Sequence, residues 1–402
     1  MNTLRILEFV RDQFATSKGN AATVEYRLVC SGTLYNGQLV SADWTKSVAS
    51  RHLSPKYFTL LAANSRIDEY PQELALRFKC PLISEVHGNS YLTYRPDDEI
   101  ARDIAALLTL FTRRLVTVAC KVREISESPP APDIFEPLRD FPCPVIGRDT
   151  SYWPPRPSTV ITTPERTDQG WRARQEVKSY MPLPVPVNPE VLSDFFERIL
   201  KLENDLASRF VSASRLYQNA LVLLLENVDI AYQLLISAVE TMSNAVHRGY
   251  SPSVSEIMQG RENLVEYLRK RLSKQDVEAV MKMIGNQIPW STKKFVKFIE
   301  GYLPENAWEQ PDPLYPGLEL EHLIPKRERL AEVIKRIYDC RSDFSHHGRP
   351  YPAHVSIGTS TTISLDAMRA LQAVMESDQV LPPITWFERV AQSTLLTFVM
   401  TQ

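Results

Sequence analysis

Apolar residues recur with two different periods along this chain, and the change of period divides it. Near the start the period is two. Val24, Tyr26 and Leu28 alternate with Glu25 and Arg27, the signature of a half-buried strand. Asn36-Gly37, set between Thr33-Leu34-Tyr35 and Gln38-Leu39-Val40, reads as a two-residue hairpin turn. Two more strands are expected at 74–78 and 90–94, and a short amphipathic helix over 1–16. A stripe of Ile100, Ile104, Leu107, Leu108, Phe111, Leu115 and Val118 predicts one long helix over 98–123. Asp97, Asp98 and Glu99 suit its positive N-terminal end. Residues 1–128 therefore read as a small α+β domain.

The pattern then lapses. Residues 129–189 hold 14 of the chain's 29 prolines, among them Pro154-Pro155 and Pro182-Leu-Pro-Val-Pro186. Proline removes a backbone donor and fixes φ, so helix and central strand are both disfavoured. With Phe135, Phe141, Tyr152, Trp153 and Trp171, the segment is too aromatic for a free tether. An extended or loop-like connector packed on its neighbours is expected, a ligand for a proline-binding module being the sharper alternative.

From residue 188 the period becomes that of a helix. Asn188 and Pro189 suit a cap and first turn, opening a helix to about residue 210. Others are expected at 212–226, 230–247 (capped by Asp229), 255–272, 276–284 and 292–302. A further helix ends in the segment after residue 328, and two more cover 366–375 and 383–400. Residues 190–402 thus read as an all-α bundle, and the whole chain as predominantly α.

Composition narrows little. Net charge is −2 and no global basic field announces nucleic acid. The five cysteines (Cys30, Cys80, Cys120, Cys143, Cys340) are scattered, without metal-ligand spacing, as expected of reduced thiols in a cytoplasmic protein. Glu8, Arg11 and Asp12 interrupt any leader-like opening. No apolar run approaches the ~20 residues that span a bilayer. No cofactor or metal is expected.

Candidate chemistry collects near the C-terminal end. Leu330, Val333, Ile334, Ile337 and Tyr338 recur at helical steps and lead into Arg341-Ser-Asp-Phe-Ser-His346, with His347 and Gly348 behind. Five helical steps separate Arg341 from His346 by roughly 140°. A permanently charged guanidinium beside an imidazole that titrates near neutrality suits phosphoryl transfer on RNA. Spacing alone is weak, since Arg349 and His354 repeat it across Pro350 and Pro352, which forbid a helix. In the apolar helix at 230–247, Ser237, Glu240 and Asn244 form a polar line. Glu240 either pairs with Arg341 or faces solvent at the edge of the stripe. Arg269, Lys270, Arg271 and Lys274, Lys293, Lys294 and Lys297, and Lys326, Arg327 and Arg329 either follow an RNA backbone or are solvated faces.

Three pieces in order carry a resemblance: Ala231-Tyr-Gln-Leu-Leu-Ile-Ser-Ala-Val-Glu240, Tyr338-Asp-Cys-Arg341-Ser-Asp-Phe-Ser-His346, and Pro382-Pro-Ile-Thr-Trp386-Phe-Glu-Arg389. Over residues 190–402 the chain resembles the HEPN superfamily, in its Apea-like branch. The resemblance implies a helical bundle that dimerises with its Arg-His motifs together. It also implies metal-independent endoribonuclease activity leaving a 2′,3′-cyclic phosphate, often in toxins or anti-phage defence. Arg341 would then hold the scissile phosphate, His346 would move protons, and Glu240 would flank them. His347 is the alternative to His346. Ser342, Asn244, Lys326 and Arg327 are supporting or RNA-contacting candidates. Ser342 departs from the pattern, because nucleases of this superfamily commonly carry Asn, Asp or His there. The implied partners are RNA and a second copy of the chain, with a protein or phage-derived trigger at the N-terminal domain. The competing expectation is a non-catalytic HEPN module binding a nucleotide, RNA or protein.

Overall fold

The computed structural model describes residues 21–30, 42–43, 58–62, 72–81, 83–87, 90–94, 97–125, 158–167, 170–179, 189–224, 226–259, 261–288, 290–305, 307, 327–352, 355 and 381–402. The strands are β1 (Ala21–Cys30), β2 (Ala42–Asp43), β3 (Phe58–Ala62), β4 (Gln72–Pro81), β5 (Ile83–His87), β6 (Ser90–Tyr94), β7 (Val116–Ile125), β8 (Ser158–Thr167) and β9 (Gly170–Ser179). Helix α1 (Asp97–Thr112) lies between β6 and β7. The remaining helices are α2 (Pro189–Lys201), α3 (Asn204–Leu223), α4 (Val228–Val246), α5 (Val254–Gln259), α6 (Glu262–Arg269), α7 (Lys274–Gln287), α8 (Ser291–Tyr302), α9 (Leu330–His347) and α10 (Ile384–Met400). Helix predominates among the described residues.

The two-residue alternation produces an antiparallel sheet of order β2-β3-β4-β1-β7. Val24, Tyr26, Leu28 and Cys30 are all buried on one face of β1, beside Leu76 and Phe78 of β4. Register sets Val24 opposite Phe78 and Tyr26 opposite Leu76. Tyr26 stacks on Phe78, its diagonal neighbour, at 5.9 Å, the cross-strand contact that stabilises such pairs. The strands expected at 74–78 and 90–94 are present as β4 and β6.

The long helix expected over 98–123 is corrected by the structure. It stops at Thr112, and Arg113 takes a left-handed φ of 54°. Thr112 donates to Leu108 O at 2.7 Å and accepts from Arg114 N at 3.2 Å. Thr109 accepts from Val116 N at 3.0 Å, tethering the start of β7 to the helix. Side-chain hydroxyls here compete with the helical ladder. Val116-Thr-Val is stiff at χ1 and suits the strand that completes the sheet beside β1. Leu115 and Val118 fitted the helical stripe only by coincidence of spacing.

Four further expectations change. The proline-rich segment contains the hairpin β8–β9, with Pro164 opposite Ala173. A two-stranded ribbon has two edges, so proline is tolerated there as it would not be in a sheet centre. The helix expected to run from 189 to 210 breaks at Leu202-Glu203, and α3 takes over the span once assigned to two helices. The span 255–272 divides into α5 and α6. Asn227 rather than Asp229 caps α4, accepting from Ile230 N at 3.1 Å. The expected elements at 1–16, 36–37 and 366–375 lie outside the described residues.

Helix α4 is the hub of the bundle. Ala231, Leu235, Ile236, Ala238, Val239 and Met242 are fully buried, and α3, α8, α9 and α10 all pack on it. Such a helix must be apolar almost all round. One buried core runs from β1 and α1 through α2, α3 and α4 to α10. A small separate core of Ile257, Val265, Val277 and Met281 holds α5, α6 and α7 together.

The sheet and the bundle are also joined by ionic contacts. Arg113 Nε donates to both carboxylate oxygens of Glu388 at 3.1 Å, and Tyr217 OH donates to the same carboxylate. Arg215 on α3 pairs with Asp103 and, at 2.6 Å, with Glu99 of α1. No helix is long and apolar enough to cross a membrane among the described residues.

Candidate functional site

Helix α9 continues through the whole Arg341–His346 segment. Its apolar face, Val333, Ile334, Ile337 and Tyr338, is buried against the bundle, and Phe295 of α8 meets Tyr338 at 5.2 Å. Gly348 ends the helix with φ of 65°, and its N–H bonds Phe344 O at 3.0 Å. Left-handed backbone of this kind favours glycine. The second Arg-His spacing, beginning at Arg349, therefore falls outside the helix.

Apolar packing of α9 on α4 brings Arg341 to Glu240. Arg341 Nη2 donates to Glu240 Oε2 at 2.9 Å, and Tyr338 OH donates to Oε1 at 2.6 Å. The pairing alternative for Glu240 is the one realised. Tyr338 lies three residues before Arg341, one turn along the same face. The Arg341 guanidinium also lies 5.6 Å from the Tyr338 ring centre. Each carboxylate oxygen thus has its own donor, and the guanidinium is held in one direction. The side chains are 25% exposed for Arg341 and 15% for Glu240, so the pair is neither sealed nor fully wet. Among the described residues, Arg341 Nε is buried without a hydrogen-bond partner. Burial pushes the Tyr338 phenol up to about 12, with the hydrogen bond to Glu240 and its charge adding to the effect. The phenol therefore stays protonated and remains a donor across the neutral range.

Sequence reasoning treated Tyr338 as one more apolar position of the stripe. Its position relative to Arg341 was the available signal: three residues apart, any group that meets one meets the other. Ser291, at the start of α8, also bonds Tyr338, and no spacing along the chain pointed to it.

His346 is exposed in the last turn of α9. No hydrogen bond or ion pair joins it to Arg341 among the described residues. Helix geometry sets the two about 7.5 Å apart along the axis and roughly 140° around it. His347 is also exposed, with Nδ1 3.4 Å from Asp343 Oδ1. Asp343 further meets Arg349 Nη1 at 3.5 Å. Ser342 is half-buried on α9, and Asn244 is half-buried one turn beyond Glu240 on α4. Arg327 turns elsewhere, to Glu305 at 3.5 Å. Lys326 lies outside the described residues.

Beside the motif runs an aromatic ladder. Phe387 of α10 stacks on Tyr232 of α4 at 5.2 Å, Tyr232 on Tyr351 at 4.9 Å, and Tyr351 meets Phe344 of α9 at 5.4 Å. Tyr351 OH donates to Gln233 Oε1 at 3.1 Å, and Gln233 Nε2 donates to Ser345 at 3.2 Å. These contacts fix the C-terminal turn of α9 against α4, so the imidazoles project from a rigid base. No group of three His, Cys, Asp or Glu side chains is placed to hold a metal ion among the described residues.

Set against protein-family models, curated proteins and solved structures, the chain matches none of them. Function is therefore read from the chemistry of the site itself. A part-exposed guanidinium of fixed direction can receive an anion. An exposed imidazole on the same rigid helix can move a proton. On one helix the two leave the axis roughly 140° apart.

Proposed function

We propose that the protein is a metal-independent endoribonuclease of HEPN type, acting as a homodimer that sets the Arg341 and His346 of two copies around one cleft. It is an effector of the toxin or anti-phage kind, and its N-terminal sheet receives the trigger. The observation that carries this reading is the Tyr338–Glu240–Arg341 array, which holds a guanidinium in a fixed direction while leaving part of it accessible.

In the cleavage step His346 takes the proton of a ribose 2′-hydroxyl, and the 2′-oxygen attacks the adjacent phosphorus. The bond from phosphorus to the 5′-oxygen breaks, and the second copy's imidazolium returns a proton to that oxygen. The products are a 2′,3′-cyclic phosphate and a 5′-hydroxyl, so no water is consumed. Arg341 holds the non-bridging oxygens as charge builds on them. Glu240 is a positioning residue, acting through Arg341.

The second reading is a non-catalytic module in which Arg341 and Glu240 clamp α9 to α4. Ser342 favours it, as does the satisfaction of the Arg341 charge by Glu240. One experiment separates the readings. The purified full chain is incubated with transfer RNA and total RNA, with and without chelator, and the fragment ends are analysed. Cyclic phosphate ends that persist in chelator and vanish in Arg341→Ala and His346→Ala support the nuclease. Unchanged RNA, or cleavage that survives both substitutions, overturns it.

A further inference from the structure

The polar line on α4 does not stop at Glu240. Asn244 and His247 continue it at steps of four and three residues, which keeps all three on one face over about 10 Å. Helix α8 packs alongside and presents Ser291, Lys294 and Lys297 at three-residue steps. Ser291 reaches Tyr338 at one end. At the other end Lys297 Nζ sits 4.4 Å over the ring of Tyr250.

The seam between α4 and α8 thus begins at the Arg341–Glu240 pair and becomes cationic away from it. Burial, together with the ammonium groups of Lys297 and Lys294, pushes His247 below the usual histidine range. The imidazole, with both lysine charges nearby, therefore stays neutral near pH 7. The nearby carboxylates are engaged or turned aside. Glu240 is held by Arg341 and Tyr338, and Glu256, which approaches Tyr250, is 3.5 Å from Lys293. Glu300 is exposed on α8.

A second observation points the same way. Among the described residues, Arg341 Nε, His247 Nε2 and Tyr250 OH are buried with no hydrogen-bond partner. Such orphans are costly, and proteins rarely keep them without a use. Here three of them lie along one seam, next to two lysines whose ammonium groups no acidic partner claims among the described residues. Lysine is a point charge on a long stem, suited to following phosphates without reading sequence.

We propose that the α4–α8 seam, through Lys294, Lys297, His247 and Tyr250, is the track along which a single-stranded RNA backbone runs away from Arg341. This takes its substrate class from the ribonuclease reading above, and adds the path of the bound strand. Lys294 and Lys297 each neutralise one phosphate. His247 and Tyr250 supply hydrogen bonds once those lysines swing from the wall of the seam to the strand.

The test is fluorescence anisotropy of a labelled single-stranded oligouridylate with the full chain, over a series of salt concentrations. Lys294→Gln/Lys297→Gln is compared with Lys282→Gln/Lys335→Gln, which removes equal charge from exposed positions on α7 and α9. Each phosphate contact on a single strand contributes about 0.7 to the slope of log K against log salt. The seam variant should lower that slope by about 1.4 and bind several-fold more weakly, while the control keeps the parental slope. Circular dichroism melts confirm that both variants fold. Equal losses in the two variants, an unchanged slope in the seam variant, or no binding at low salt overturns the track. Lysine-dependent binding by a parent chain that cleaves nothing leaves the track standing and removes the nuclease reading. Cleavage with a lysine-independent slope does the reverse.

Discussion

The molecule contains the same trio of side chains twice, in two settings. At the junction of sheet and bundle, Glu388 receives Arg113 and the hydroxyl of Tyr217. At the motif helix, Glu240 receives Arg341 and the hydroxyl of Tyr338. The first carboxylate is 0% exposed and its arginine 11%, whereas the second pair is 15% and 25% exposed. Attraction between charges rises as water is excluded, but so does the desolvation cost of each, and a sealed pair has no face left for a third group. The junction trio is therefore a joint. The motif trio has the same internal order but keeps one side of its guanidinium open, which is what a phosphate requires.

The comparison breaks if the joint proves dispensable. Arg113→Ala leaves Glu388 charged and buried with Tyr217 as its remaining partner from the trio, which costs about 3–5 kcal/mol. Alanine is no easier than arginine at a left-handed φ, so backbone strain is equal before and after. Chemical denaturation should show the loss directly. A change under 1 kcal/mol would mean that the joint does not hold the sheet to the bundle.

Function should respond in the opposite place. Arg341→Ala is expected to lower the cleavage rate by about 10²–10³-fold, as loss of a transition-state donor does, and His346→Ala by about 10²–10⁴-fold. Both should unfold within about 1–2 kcal/mol of the parent, because neither partner is sealed from water. His347→Ala serves as the control and should cleave normally. If Arg341→Ala destabilises as much as Arg113→Ala, the motif trio is a second joint and the difference between the two sites disappears.

A smaller effect separates positioning from contact. Glu240→Gln keeps the shape but weakens the hold on Arg341, and should reduce turnover about tenfold while RNA affinity stays within a factor of two or improves. A larger fall in affinity than in turnover would place Glu240 in contact with the RNA.

The mildest change is Tyr338→Phe, which removes one neutral donor and should cost about 1 kcal/mol near neutral pH. Its pH dependence has a definite sign. The folded phenol is raised to about 12, above the ~10 of an unfolded tyrosine. The stability it contributes is complete below ~pH 10 and is lost as pH rises towards 12. The gap between the parent and Tyr338→Phe should therefore narrow in that alkaline window. A gap that widens there would contradict the hydrogen bond to Glu240.

The readable parts of the fold were those set by one strong period. β1, β4 and β6 followed from alternation or β-rich runs. α4, α8, α9 and α10 followed from a helical stripe with recognisable ends. What failed was the stretch after residue 112. Leu115 and Val118 satisfied the stripe of α1, and only the hydroxyls of Thr109 and Thr112, with the left-handed turn at Arg113, showed that the chain reverses into a strand. The α2–α3 break was hidden for a similar reason, since apolar spacing continues across Leu202 while the axis changes.

At the site, Glu240 and Arg341 were legible as a possible pair because Glu240 is a charged group on a largely apolar helix and Arg341 a permanent cation on the motif helix. Tyr338 was not, since its ring satisfies the apolar pattern and its hydroxyl leaves no trace in it. That the helix carries on unbroken from Arg341 through His347 to its end at Gly348 is a matter of local geometry that residue types alone leave open.

Residue order by itself determined which segments are amphipathic and which charged groups fall on otherwise apolar faces. These are consequences of side-chain chemistry at fixed periods. Only the tertiary structure decided which face meets which: that Glu388 is sealed while Glu240 is open, and that α8 lays its lysines beside the line on α4. Those outcomes depend on how apolar surfaces from distant segments pack together, and the exposure of a charge is a property of that packing rather than of the residue.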